Sequence, residues 1–169
     1  MLFGATLIAF IVLRLQIGRK WPDLPPLPRI LWLSTLTILL SSATMQWGVR
    51  AIRRGRAMQL RFGMLATVVL GLAFIGMQAI AWIEWLPPAI ERWADSNAWR
   101  FALMVFYVFT AVHAAHVIGG LVPMALVTSR AINGRYSPGD YAGVQYCAMY
   151  WHFLDVVWLV LFAVLVTLA

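Results

Sequence analysis

Residues 62–86 read FGMLATVVLGLAFIGMQAIAWIEWL, a run whose one charged side chain, Glu84, falls at its end. A helix rises about 1.5 Å per residue, so about 20 apolar residues cross a hydrocarbon core of about 30 Å. This run is longer than that and apolar all round, whereas a surface helix of a soluble domain shows a single apolar stripe. Strands of a membrane barrel are about ten residues long and alternate in polarity. Inside lipid every backbone group must be satisfied within the chain, so the run reads as a spanning helix.

Four more segments read the same way: Met1 to about Ile17, about Ile30 to Val49, about Trp99 to Val127, and about Val144 to Leu168. The expected fold is all-α, a polytopic membrane bundle of five transmembrane helices (1–17, 30–49, 62–86, 99–127 and 144–168) in a single domain over 1–169. The first segment is short, because Arg14 interrupts it. It lacks a basic start and a small-residue cleavage motif, which argues against a signal peptide. It reads as the second half of a spanning helix whose beginning precedes Met1, with a short helix as the alternative.

Composition agrees with this reading. Of 169 residues 63% are hydrophobic and 11% charged, with a mean hydropathy of +0.82. Soluble domains carry about 25% charged residues. Disorder is excluded, as is a disulfide scaffold, because Cys147 is the sole cysteine. A net charge of +7 suggests nucleic acid at first sight, but basic residues scattered between apolar runs suit loops facing an anionic leaflet. The loop from Arg50 to Arg61 holds five arginines and no acid, and the loop from Thr128 to Gly143 holds Arg130 and Arg135 against Asp140. With alternating crossings these two loops share a side, expected to be cytoplasmic. The N-terminus is then inside and the C-terminus outside. Trp21, Trp32, Trp47, Trp85, Trp93 and Trp99 fall near segment ends, as an aromatic belt requires. The short loops leave no room for a soluble catalytic module, and there is neither a nucleophile motif nor a phosphate-binding glycine loop. Ser41 and Ser42 read as hydrogen-bonding groups between helices. Gly119, Gly120 and Pro123 predict a kink and close helix approach.

Polar groups at lipid depth are the informative ones, since a charge there costs about 2.5–3.5 kcal/mol even on lenient scales. They are Gln78, Glu84, His113, His116, Gln145, His152 and Asp155. His113 and His116, three apart, share a helix face. They suit either a metal or haem site or, in the favoured reading, hydrogen bonds holding the bundle. With three histidines and one cysteine the chain is poorly stocked for a closed metal cage. His152 and Asp155 suit either a proton relay or an interhelical clamp, the clamp being favoured. Glu84, beside Trp85 and Pro87, reads as interfacial.

The run Tyr150-Trp151-His152-Phe153-Leu154-Asp155-Val156-Val157-Trp158 resembles the last-helix signature of subunit III of haem-copper respiratory oxidases. Residues 106–120, with His113, His116 and Gly119-Gly120, resemble the helix before it. Leu39 to Thr44, Gly76-Met77-Gln78 with Trp82, and Trp21-Pro22 agree in order. The resemblance covers essentially the whole chain. It implies a non-redox accessory subunit that packs on catalytic subunit I, holds phospholipid in a cleft between its helices, and supports proton uptake and durable turnover. Haem and copper are then expected in partner subunits and none in this chain. Subunit II and small subunits are further expected partners, nucleic acid is not, and a bacterial-type inner membrane is the expected location. The residues carried over are His113, His116, Trp151, His152, Asp155 and Trp158, with Gln78 a weaker match. Three family carboxylates have no counterpart: one that would precede Met1, one where Ala81 stands, with Glu84 one turn on, and one where Gln145 stands. These departures touch a proton-conducting chain and leave the packing and lipid roles intact. The alternatives are a similar accessory of nitric oxide reductase and a self-standing haem protein ligated by His116 and His152. A transporter is more distant, because no pair of broken helices surrounds a midplane site.

Overall fold

The computed structural model describes residues 27–91 and 97–168. They form four helices: α1 (Ile30–Arg53), α2 (Ala57–Glu91), α3 (Asn97–Ile132) and α4 (Ala142–Leu168). All four are long and apolar enough to cross a membrane. Among the described residues the sole β-type pairing is an isolated bridge between Ser137 and Asp140. The all-helical membrane bundle is as expected, but the count is four spanning helices among the described residues, not five. The expected segment 1–17 lies outside those residues.

The helices overrun the apolar runs at both ends of the molecule. Expected to stop at Val49, α1 continues to Arg53. Its last turn holds Arg50 and Arg53, and cations there complement the partial negative charge of the terminal carbonyls. Likewise α2 begins at Ala57 and passes Pro87 to reach Glu91, beyond the expected end at Leu86. The fixed φ of proline is itself helical, so a helix can carry it at the cost of one donor and of crowding at the carbonyl four residues back. In α3, Pro123 sits inside an unbroken helix.

Two helices end in the same way. Gly55 (φ +72°) follows α1 and Gly134 (φ +69°) follows α3. In each case the next amide returns to a carbonyl five residues back: Arg56 N donates to Ala51 O at 2.9 Å, and Arg135 N to Arg130 O at 3.0 Å. A left-handed residue closing a helix this way is most stable as glycine.

Packing closes the helices into a ring, α1 on α2, α2 on α3, α3 on α4, and α4 back on α1. The α1–α2 approach is the tightest. A Cβ on Gly63 would lie 2.9 Å from Thr44 O and 3.0 Å from Gly48 Cα. The outward surface is apolar, with Leu36, Val69, Ile83, Val122 and Phe153 all more than half exposed. Inside sit Ser34, Ser41, Thr67, Gln78, Thr110, His113 and Asp155, all buried together with the aromatic core. A membrane solvates the first set as well as a core would, so helix association falls to close packing and interior hydrogen bonds.

Candidate functional site

On α4, Trp151, Leu154, Asp155, Trp158 and Phe162 recur at steps of three and four, so they form one buried stripe. It faces the hydroxyl-bearing side of α1. Trp151 Nε1 donates to Ser41 Oγ at 2.9 Å, and Trp158 Nε1 donates to Thr35 Oγ1 at 3.0 Å. Each hydroxyl in turn donates to a carbonyl of its own helix, Ser41 to Ile38 O and Thr35 to Leu31 O, both at 2.8 Å. A hydroxyl has one proton and two lone pairs, so it can accept from the indole while donating to the backbone. The same device joins α2 to α3, where Trp82 Nε1 donates to Thr110 Oγ1 (2.9 Å) and Thr110 to Phe106 O (2.7 Å). Between α1 and α2, Thr44 and Thr67 bond at 2.9 Å.

Beside the indoles lies the ionisable part of the seam. His152 Nδ1 is 2.6 Å from Ser42 Oγ, and its Nε2 is 3.2 Å from Gln46 Oε1. With the amide oxygen facing the ring, Nε2 donates to Gln46, and Nδ1 shares a hydrogen bond with the Ser42 hydroxyl. Asp155 Oδ2 stands 3.9 Å from His152 Nδ1, beyond hydrogen-bond length. Neither Asp155 oxygen has a hydrogen-bond partner among the described residues, although the side chain is only 5% exposed. Asp155 thus lies within ion-pair range of His152, while the indoles carry the hydrogen bonds that join the two helices.

The other expected residues scatter. His113 is fully buried, edge-on to Phe74 at 5.9 Å and tilted over Trp158 at 5.1 Å. Three residues on, His116 is exposed on the outer surface, where its Nδ1 donates to Val112 O at 2.8 Å. The two histidines therefore face different surroundings, despite their spacing. Tyr150 donates its hydroxyl to the backbone carbonyl of His116, whose side chain is exposed, whereas the His152 ring is held against α1 by Ser42 and Gln46. A haem ligated by both does not fit this placement. Among the described residues no three His, Cys, Asp or Glu side chains converge to hold a metal. Gln78 is buried on α2, and neither amide atom has a partner among the described residues. Glu84 is exposed, and so is Gln145 near the start of α4.

Of the expected aromatic belt, Trp32 and Trp47 are exposed, whereas Trp85 and Trp99 are buried, Trp85 against Phe106 at 4.3 Å. Trp21 and Trp93 lie outside the described residues. The sequence reading missed Thr35, Gln46 and Thr110 as partners. For Thr35 the signal is the hydroxyl spacing in α1, where Ser34 and Thr35 recur seven residues on as Ser41 and Ser42.

Comparison with known proteins bears on the same stretch. The family model described as "Cytochrome c oxidase subunit III" matches residues 1–168. The chain is 36% identical over 152 residues to "Cytochrome c oxidase subunit 3" of Marchantia polymorpha, covering 87% of this chain and 54% of that protein. It is 33% identical over 169 residues to "Probable cytochrome c oxidase subunit 3" of Mycobacterium bovis, covering 98% of this chain and 80% of the relative. The protein of that name in Mycobacterium leprae is 30% identical over 166 residues, with coverage of 98% and 80%. The chain thus spans about half the length of the liverwort relative and four fifths of the mycobacterial ones.

Proposed function

Because the chain belongs to the cytochrome c oxidase subunit III family, we propose that it is the non-redox accessory subunit of a proton-pumping haem-copper terminal oxidase. It packs on catalytic subunit I, adjoins subunit II, holds phospholipid between its helices, and supports proton uptake and lasting turnover. The observation carrying this reading is the seam formed by the family's most specific motif, residues 150–158. Its tryptophans tie α4 to α1, and its histidine is held by a serine and an amide. That chemistry braces a bundle. Electron transfer then belongs to haem and copper in the partner subunits.

In this reading the arginine-rich loops face the cytoplasm, and the host is a bacterial-type inner membrane. Gln78, His113 and His116 serve packing, and Glu84 meets headgroups. The Asp155–His152 pair, the one His–carboxylate pair within 4.0 Å among the described residues, is the couple that would bear on proton traffic.

Tagged protein purified from its native membranes is expected to bring a haem-copper subunit I with it. Its absence from a complex that is otherwise intact would end the proposal. Asp155→Ala in that complex should shorten active life more than it slows initial turnover. Collapse of initial turnover in a complex that stays assembled would instead make the pair a proton relay.

A further inference from the structure

The inside of the bundle holds a carboxamide that no neighbouring helix satisfies. Gln78, on α2, is 1% exposed, and neither its Oε1 nor its Nε2 has a hydrogen-bond partner among the described residues. A carboxamide offers two donors and an acceptor oxygen with two lone pairs. Leaving it bare in an apolar interior is costly, and buried polar groups are as a rule satisfied by protein or by ordered water.

The helix register places its surroundings. Against α1, Gly63 packs on Gly48 and Thr67 bonds to Thr44, so four residues forward on α2 match four back on α1. Carried on at the same rate, this register sets Gln78 at the level of Ser34. Against α3, Phe74 lies edge-on to His113 and Trp82 bonds to Thr110, so Gln78, one turn from each, falls between them. Phe74 also meets Trp158 at 5.0 Å, and Trp158 bonds to Thr35, the neighbour of Ser34. Each helix thus brings a polar group to about the same depth. Ser34 is fully buried, and its hydroxyl donates to Leu31 O at 2.9 Å. Its proton is spent, while its oxygen accepts from no donor among the described residues. Ser34 is small, and so is the buried Ala81, one turn beyond Gln78.

We infer that this layer binds water inside the bundle, at least one molecule that accepts from Gln78 Nε2 and donates to Ser34 Oγ. The chain then runs from the amide through the water and the serine to Leu31 O, each step donor to acceptor. An interior water needs at least two polar partners, and these residues supply them, whereas a cavity lined by aliphatic and aromatic groups alone stays dry. A lining of carboxamide and hydroxyl suits a neutral molecule better than an ion. The water ties α1 to α2 about four turns from the Gly48–Gly63 contact, so the pair is fastened at two levels, by backbone at one and by solvent at the other. The site does not depend on the accessory-subunit reading, and either can fail without the other.

The test uses the full chain with whatever subunits co-purify. A cryo-EM map fine enough to show ordered water should hold density within hydrogen-bond distance of both the Gln78 amide and Ser34 Oγ. A thermal-shift cycle reads the same site in solution. Gln78→Met keeps the volume and removes the amide. With water bound, Gln78→Met and Ser34→Ala should each lower Tm by a few degrees, and the double variant by no more than the larger single loss. Gln78→Met combined with Thr44→Ala, whose bond to Thr67 is direct, should be additive. An unchanged or raised Tm in Gln78→Met would reveal a bare amide and overturn the site, as would full additivity with Ser34→Ala. A map in which the amide bonds directly to a side chain, from residues 1–26 or from a neighbouring subunit, would overturn it too. Should a variant fail to assemble, the wild-type map decides alone: density between the two side chains supports the site, and its lack ends it.

Discussion

Trp151 and Trp158 each bury an indole whose N–H has a single acceptor, and in both cases the acceptor is a hydroxyl on α1. Removing the hydroxyl leaves the buried indole N–H without its acceptor. Ser41→Ala and Thr35→Ala should each cost about 1–2 kcal/mol, within the range of interhelical bonds in bilayers and of an unsatisfied buried donor. A thermal-shift series on the purified assembly would read this as two separate losses, additive because the contacts sit about two turns apart. Asp155→Asn tests the opposite sign. The carboxylate has no donor among the described residues, so an uncharged isostere should leave stability unchanged or raise it. A large destabilisation by Asn would mean that Asp155 is paired through water or with residues outside those described.

At the scale of the helix pair, Gly48 and Gly63 give two contrasting outcomes. A methyl at Gly63 meets backbone at 2.9 and 3.0 Å, and backbone cannot step aside. Gly63→Ala should therefore prise α1 from α2, at about 1–3 kcal/mol, the usual cost of overpacking. It should also weaken the Thr44–Thr67 bond that lies one turn away. At Gly48 the nearest atom is 3.6 Å off, so Gly48→Ala should be close to neutral. Gly55→Ala is a third case, in which space is available but φ is +72°. About 1 kcal/mol is expected there from strain alone, with the helices themselves unchanged by circular dichroism.

For the whole molecule the governing fact is inversion. Large apolar side chains line the exposed surface of the helices, while hydroxyls, an amide, an imidazole and a carboxyl are buried. Such a body is stable in lipid and would aggregate in water. The proposed orientation puts the arginine-rich end in the cytoplasm. In a Cys147→Ala background, where the one native thiol, buried beside Met124, is removed, a cysteine at Gly139 should be labelled by an impermeant maleimide from the cytoplasmic face only. Labelling from the opposite face would reverse the topology.

Spanning helices were legible because crossing lipid imposes a length and a composition that no other local structure shares. Residues 62–86 announce a helix without reference to any neighbour, and the ends of α1 and α2 were misplaced only where charge and proline continue a helix past its apolar part. The motif at 150–158 likewise named the family before any contact was known. What eluded the sequence is the pairing. Spacing put His113 and His116 on one face, yet one is core and the other surface, because a step of three leaves residues about 60° apart and the edge of a buried stripe can pass between them. Nothing local says that Trp151 meets Ser41, 110 residues away, or that Asp155 stays without a hydrogen bond beside His152. The amino-acid order by itself determined that these segments lie in a membrane as helices, since transfer into lipid is a property of each segment alone. Which side chains satisfy one another was decided by the ring of helices, since a hydrogen bond exists only once both partners have been brought to a common depth and azimuth.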